Sequence, residues 1–378
     1  MKNIAQLSVI PGLLLCLLLV VLIVLPIVNF NHTGHDTSID RTHLSQQVGQ
    51  LMIVGFSGTN RSSPGFRRLV DNLEKGLVGG ALFLAENITS RTELVAMVQQ
   101  VRHCACALPP LIAIDEEGGA IERLSEEYAF PHIQSAAKVG SGDEENARRQ
   151  YRTLAQKLFD VGFNINFAPV VDLNKNPNNP IIGAKDRSFS RDPYVVALFA
   201  KIFIEEHHAF GILTTLKHFP GHGSSSTDTH LTATDVGSSW SQDELIPYQR
   251  LLADDLVDSV MVGHLINERE WGGVATQDGS TAIHNLLRKK LKYNGVVISD
   301  DLTMSAITRK TNDFADVLIS SLQAGVDILL IAHPVKDGND EYQGFNSSTV
   351  NAIIDNKLAL QLVQESWERV TSLKSRLK

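Results

Sequence analysis

Apolar residues along this chain gather into short runs, separated by longer stretches in which apolar positions recur at helical spacing. Eight runs stand out, at 51–56, 81–84, 111–114, 165–171, 213–217, 259–264, 295–299 and 328–331. Each is closer to the continuous pattern of a strand buried on both faces than to an alternating one. Between them, 92–103 repeats Leu94, Val98 and Val101 on one helical face, 144–161 follows a Ser-Gly-Asp entry, and 313–324 follows Thr311-Asn312 as a cap-like start. A last helix is expected over 358–377. Strand and helix in alternation predict a parallel sheet, and eight such units fit a single α/β (β/α)8 barrel of TIM type better than an open doubly wound sheet. No Gly-x-Gly-x-x-Gly follows the first run, so nothing suggests a dinucleotide site.

A barrel makes position informative, because reactive side chains gather at the C-terminal ends of its strands. Asp115-Glu116-Glu117-Gly118-Gly119 follows the third run, Asp172 the fourth, Lys217-His218 the fifth, His264 the sixth and Asp300-Asp301 the seventh. The densest stretch is Lys217-His218-Phe219-Pro220-Gly221-His222-Gly223, continued by three serines, Thr227, Asp228, Thr229 and His230. Lys, His and Asp are costly to bury without partners, and Gly221, Gly223 and the serines predict a mobile backbone, so a loop presenting ionisable groups at a cleft is expected.

Composition narrows the picture. With 43% hydrophobic and 20% charged residues among 378, the chain is ordinary for a globular protein. A net charge of -8 without a run of Lys or Arg argues against nucleic acid as partner. Residues 9–28 carry no charge over about the length that crosses a bilayer. Lys2 alone precedes them, which places the N-terminus in the cytoplasm and the remainder on the periplasmic or extracellular face. No small-residue cleavage motif follows, so an uncleaved signal-anchor is favoured over a signal peptide and secretion. The expected organisation is an anchor or signal at 1–30, a linker at 31–41 and the barrel at 42–378. Cys104 and Cys106 have a spacing unlike an ordinary disulfide and are too few for zinc, so they are expected to be bystanders.

Two chemistries compete for the polar stretch. His218, His222, Asp228 and His230 are metal-ligand types, yet Pro220-Gly221 argues against a helical pair of histidines, and no metal is expected. Retaining glycoside cleavage needs a proton donor and a carboxylate about 5 to 5.5 Å apart. Asp300 can supply the carboxylate, His230 the donor, and Asp228 can orient the imidazole. Alternation alone leaves Asp300 and Asp301 equally eligible.

The 217–223 motif with Asp228-Thr229-His230, together with Ile298-Ser299-Asp300-Asp301-Leu302-Thr303-Met304, resembles the signature of family 3 glycoside hydrolases, in their β-N-acetylhexosaminidase branch. The likeness also takes in 49–56, 79–81, 115–124, 166–172 and 324–327. It implies Asp300 as nucleophile, His230 as acid/base and Asp228 as its orienting partner, with Asp301 left to hold the turn. It further implies that Asp115, Arg123, Arg187, Lys217 and His218 hydrogen-bond the hydroxyls of an N-acetylglucosamine ring. The implied partner is a β-N-acetylglucosaminide oligosaccharide or muropeptide, bound by a monomer without metal or organic cofactor. A phosphorylase acting on the same sugar, and a tethered sugar-binding protein without turnover, are the alternatives.

Two departures from the family pattern stand out. Ala120 replaces a common Arg, and the spacing Ile182-Gly183-Ala184-Lys185-Asp186-Arg187 is lengthened, which leaves open a surface ion pair for Arg187. Among the remaining polar residues, His222 is expected to structure the loop and Glu116 and Glu117 to be structural. His264 is expected to be either satisfied or in contact with sugar, and His207 and His208 to form a solvated helix end.

Overall fold

A computed structural model of the chain describes residues 40–227, 234–277, 279–304, 307, 313–333 and 341–377. The apolar N-terminal segment, and Asp228 and His230, lie outside the described residues. No helix among the described residues is long and apolar enough to cross a membrane.

The eight expected strands are all present: β1 (Met52–Val54), β2 (Gly80–Phe83), β3 (Leu111–Ile114), β4 (Ile165–Asn166), β5 (Leu213–Phe219), β7 (Ser259–Val262), β9 (Val296–Ser299) and β10 (Leu329–Ile331). Two short strands, β6 (Thr234–Asp235) and β8 (Leu265–Ile266), form a separate pair that the apolar pattern is too brief to announce. The eight lie parallel in the order β10, β1, β2, β3, β4, β5, β7, β9. A parallel bridge between Ile298 and Ile328 brings the two edges together, so the sheet is a nearly closed barrel. Every strand position in it is buried, as the continuous apolar runs require.

The fourth strand is much shorter than its run. Pro169 has no N–H to give the ladder, so beyond Asn166 the regular pairing lapses into single backbone bonds, Phe167 N–H to the Ile114 carbonyl at 2.9 Å and Thr215 N–H to the Ala168 carbonyl at 2.9 Å, until Val170 bridges Lys217.

The three helices begin within one residue of their expected starts at 92, 144 and 313. Ser90 opens Arg91–Arg102, Asp143 opens Glu144–Val161 and Asp313 opens Phe314–Gln323, each side chain accepting from a backbone N–H in the first turn. Asp40 does the same for Arg41–Gln50, so the last two residues assigned to the linker belong to the barrel domain.

Two expectations fail here. His207 is not at a solvated end: it is fully buried in Pro193–His208, with Nδ1 2.8 Å from the Phe203 carbonyl and Nε2 3.1 Å from Asn166 Nδ2. His208 pairs with Asp258 at 2.7 Å. Cys104 and Cys106 are joined in a disulfide, because the turn after Arg91–Arg102 brings their Cα atoms to 5.3 Å, inside the range such a bond spans.

At the N-terminal ends of the strands the barrel is closed by saturated ionic clusters. Asp327, just before β10, accepts from Arg288 at 2.7 Å, Arg369 at 2.9 Å, Ser366 at 2.7 Å and the Val297 N–H at 2.8 Å. Asp258, just before β7, accepts from Thr214 N–H and Oγ1, and pairs with His208 and Arg376. Lys374, from the last helix Leu360–Lys374, donates to Gln50 Oε1 and the Gly79 carbonyl, each at 2.6 Å.

Candidate active site

A cavity of about 430 Å³ opens at the C-terminal ends of the strands. Asp115, Arg123, Arg187, Lys217, His218 and Asp300 all line it, so every expected site residue that is described reaches one space.

Its wall is a frame of four charges. Lys217 Nζ lies 2.7 Å from both Asp115 Oδ1 and Glu117 Oε1. Arg187 grips the same Glu117 with Nε and Nη2, each at 2.8 Å, and donates Nη1 to the Ile181 carbonyl at 2.9 Å. Burial opposes charge on all three of Glu117, Lys217 and Arg187. For Glu117 the two cations overcome it and hold the carboxyl far below the usual range. For Lys217 and Arg187 the carboxylates overcome it and raise the pKa. Arg187 is therefore no surface partner. The lengthened spacing before it is taken up by the turn Gly183–Lys185 and by Asp186 in left-handed conformation, from which the Arg187 N–H returns to the Ile182 carbonyl at 3.1 Å.

Glu116 and Glu117 differ sharply. Glu116 points away from the cavity, pairs with buried Lys157 at 2.7 Å and accepts from the N–H groups of Arg123 and Leu124, a structural role as expected. Glu117 lines the cavity and ties Arg187 to Lys217, a role that the sequence reading missed. Its position beside Asp115 at a strand end was the available signal. The half-buried Arg123 keeps a buried Nε with no hydrogen-bond partner among the described residues, a donor ready for a ligand.

Asp172, outside the lining, organises the part of the wall that His218 and His222 form. Its carboxylate lies 2.7 Å from His218 Nδ1, and accepts the His218 N–H at 3.2 Å and the His222 N–H at 2.7 Å. Burial would raise its pKa, but His218 and His222 outweigh that and lower it. His222 is buried to the point that its ring is pushed down to about 4, and its Nδ1 rests 2.8 Å from Ser225 Oγ. It structures the loop as expected, while also lining the cavity.

The loop itself is packed and hydrogen-bonded over the part described. Residues 219–225 are buried. Asn179 donates to the His222 carbonyl at 2.8 Å, Asn176 to the Ser225 carbonyl at 2.8 Å and Trp240 to the Pro220 carbonyl at 3.0 Å. The glycines serve close approach: a Cβ on Gly223 would fall 1.6 Å from the Leu173 carbonyl oxygen, and one on Gly221 would fall 2.5 Å from Glu244 Cβ.

The two adjacent aspartates separate by geometry. Asp301 also lines the cavity, but its carboxylate is spent on its turn, accepting from the Thr303 N–H and the Ala332 N–H at 3.0 Å each and from the Thr303 hydroxyl. Asp300 donates its N–H to the Val262 carbonyl, accepts the Asp301 N–H at 2.9 Å and lines the cavity. His264 is a satisfied histidine, bonded to Thr276 Oγ1 at 2.7 Å and to the Asp301 carbonyl at 2.9 Å, outside the lining. Among the described residues no group of three His, Cys, Asp or Glu could hold a metal ion. Such a site offers carboxylates and cations in a fixed ring of donors and acceptors, which suits a neutral polyhydroxyl ligand.

Comparison with known proteins bears on the same residues. The profile of the glycosyl hydrolase family 3 N terminal domain matches residues 43–373. A protein named beta-hexosaminidase from Xylella fastidiosa (strain M23) is 34% identical over 316 residues, covering 80% of this chain and 90% of the relative. Beta-hexosaminidase A of Pseudoalteromonas piscicida is 29% identical over 371 residues, covering 88% of this chain and 61% of the relative. Among solved structures, a glycoside hydrolase family 3 beta-N-acetylglucosaminidase from Paenibacillus sp. superposes with a TM-score of 0.79 at 29% identity, over 88% of this chain and 62% of that one. The present chain thus spans less than two thirds of the latter two.

Proposed function

The chain belongs to glycosyl hydrolase family 3, and from that premise we propose that it is a retaining β-N-acetylhexosaminidase working through a covalent glycosyl-aspartate. The observation that carries this reading is the division of labour in the Asp300-Asp301 pair: both line the cavity, but the Asp301 carboxylate is spent on the Thr303 and Ala332 groups of its turn, whereas Asp300 accepts the Asp301 N–H.

In the first step Asp300 attacks the anomeric carbon as His230 protonates the departing glycosidic oxygen. The carbon–oxygen bond to the leaving group breaks as the bond to Asp300 forms. In the second step His230 takes a proton from water, which displaces Asp300, and two inversions give net retention. Asp228 orients the imidazole. Lys217, with two of its protons given to Asp115 and Glu117, keeps a third for a sugar hydroxyl, and Asp115 accepts from one. Arg123, Arg187 and His218 complete the ring of contacts. The substrate we propose is terminal, non-reducing β-linked N-acetylglucosamine on peptidoglycan-type fragments. The domain would be held by the N-terminal apolar segment on the outer side of the membrane.

Incubation with a chromogenic β-N-acetylglucosaminide tests the chemistry. Release by the parent, its abolition in Asp300→Ala, and accumulation of a sugar ester on Asp300 with a 2-fluoro substrate are expected. No release by the parent would leave a sugar binder, and sugar phosphate formed only with added phosphate would make it a phosphorylase. Protease access in intact against opened cells tests the side of the membrane.

A further inference from the structure

Behind the loop lies a buried acidic side chain that the reaction does not use. Glu244 sits in the turn Gln242–Leu245 that leads into the helix Ile246–Ala253, and its side chain is fully buried. Its Cβ and Oε2 occupy the space that a side chain on Gly221 would need, at 2.5 and 2.8 Å from the ideal Cβ position. Oε2 accepts the Leu173 N–H at 3.3 Å, and the Ser224 hydroxyl faces the carboxyl. Yet Glu244 Oε1, Ser224 Oγ and the Tyr248 hydroxyl are all buried without a completed hydrogen bond among the described residues. Three under-satisfied polar atoms around one carboxyl, under the loop that carries the family motif, call for a reason.

We propose that Glu244 is a positioning residue, a wedge beneath Gly221 and Ser224 that sets the height of the 218–227 segment over Asp172 and so the start of the chain that leads to Asp228 and His230. The wedge works as a neutral acid. Burial, reinforced by the nearby Asp172 carboxylate, pushes Glu244 up to about 8 against the help of the Leu173 N–H, Lys175 and Ser224. Among the described residues, Lys175 does not outweigh this. Lys175 is engaged by Asp243 at 2.8 Å, Asp172 is spent on His218 and His222, and Tyr248 on the adjoining helix is itself buried, its pKa raised by that burial and by Asp172 and Glu244. Ionisation of Glu244 therefore sets a second carboxylate against Asp172 and loosens the segment that both hold.

This rests on reading the cavity as the hydrolase site, so the test pairs turnover with a measurement that needs none. In wild type, kcat should fall as pH rises through about 8, and in Glu244→Gln that component should vanish, so that at pH 9 about tenfold more of the neutral-pH activity survives, with KM little changed. Hydrogen exchange of the 218–227 amides should speed up over the same pH range beyond its intrinsic base dependence in wild type and not in Glu244→Gln. Coincident pH profiles and coincident exchange in the two proteins would overturn the proposal. If Glu244→Gln does not fold, wild-type exchange decides: no acceleration near pH 8 refutes the wedge. A parent without turnover would refute the hydrolase reading and leave the exchange result to judge Glu244.

Discussion

The two ends of this barrel are built from the same side chains and do opposite things with them. At the N-terminal end, Asp258 and Asp327 are wrapped by arginines, histidine, hydroxyls and backbone N–H groups, four partners to each carboxylate. At the C-terminal end, Arg123 keeps a buried Nε without a partner among the described residues, and Asp300 and the Asp115, Glu117, Arg187 and Lys217 frame line an open space. A buried charge that is fully answered holds the fold, whereas one that is partly answered waits for a ligand. Residue type therefore says little about role here, and saturation says much.

The sharpest break of that contrast would come from Asp300→Ala. Removing the proposed nucleophile should lower kcat by at least about 10³-fold while the thermal midpoint stays with the parent's; a comparable loss of stability would place Asp300 with the structural carboxylates. Asp327→Ala should do the reverse. Four donors would lose their acceptor, costing about 3–5 kcal/mol in chemical denaturation, with the KM of the folded fraction unchanged. Glu117→Gln tests the residue that shares both characters: kcat/KM should drop on the order of 10²-fold and stability should fall as well, because Arg187 loses its bidentate partner inside the cavity wall.

The smallest effect is a slope. Burial pushes Lys374 down to about 7 from its ordinary 10.5. Between these values the unfolded chain binds the proton and the native protein does not, so stability rises with pH across that window and the cost of the buried lysine is complete only below it. Lys374→Met should flatten the rise by up to about 1.4 kcal/mol per pH unit in denaturation curves taken between pH 7 and 10. Parallel curves for the two proteins would mean that Lys374 stays charged on its two carbonyl-type acceptors.

Much of the architecture is legible in the chain because burial on both faces writes each strand as an unbroken apolar run. Where a run misleads, the cause is local: Pro169 ends β4 early, and two-residue strands such as β6 and β8 are too short to leave a pattern. The wall of the cavity is legible for a different reason, since strand-end position picks out Asp115, Lys217, His218 and the Asp300-Asp301 pair before any distance is known. Glu117 and Asp172 occupy equally telling positions, yet their importance lies in whom they hold, and partners such as Arg187, 70 positions away, are set by folding rather than by neighbourhood. The glycines of the loop misled most. Read alone they promise freedom, but Gly221 and Gly223 lack side chains so that Glu244 and Leu173 can press against the backbone.

The four-charge frame has one more consequence. Two cations and two anions interleaved within hydrogen-bonding reach sum to nothing at the distance of an approaching solute. Dissolved ions then have little long-range field there to damp, so affinity for an uncharged glycoside should hardly vary from dilute buffer to seawater-like ionic strength.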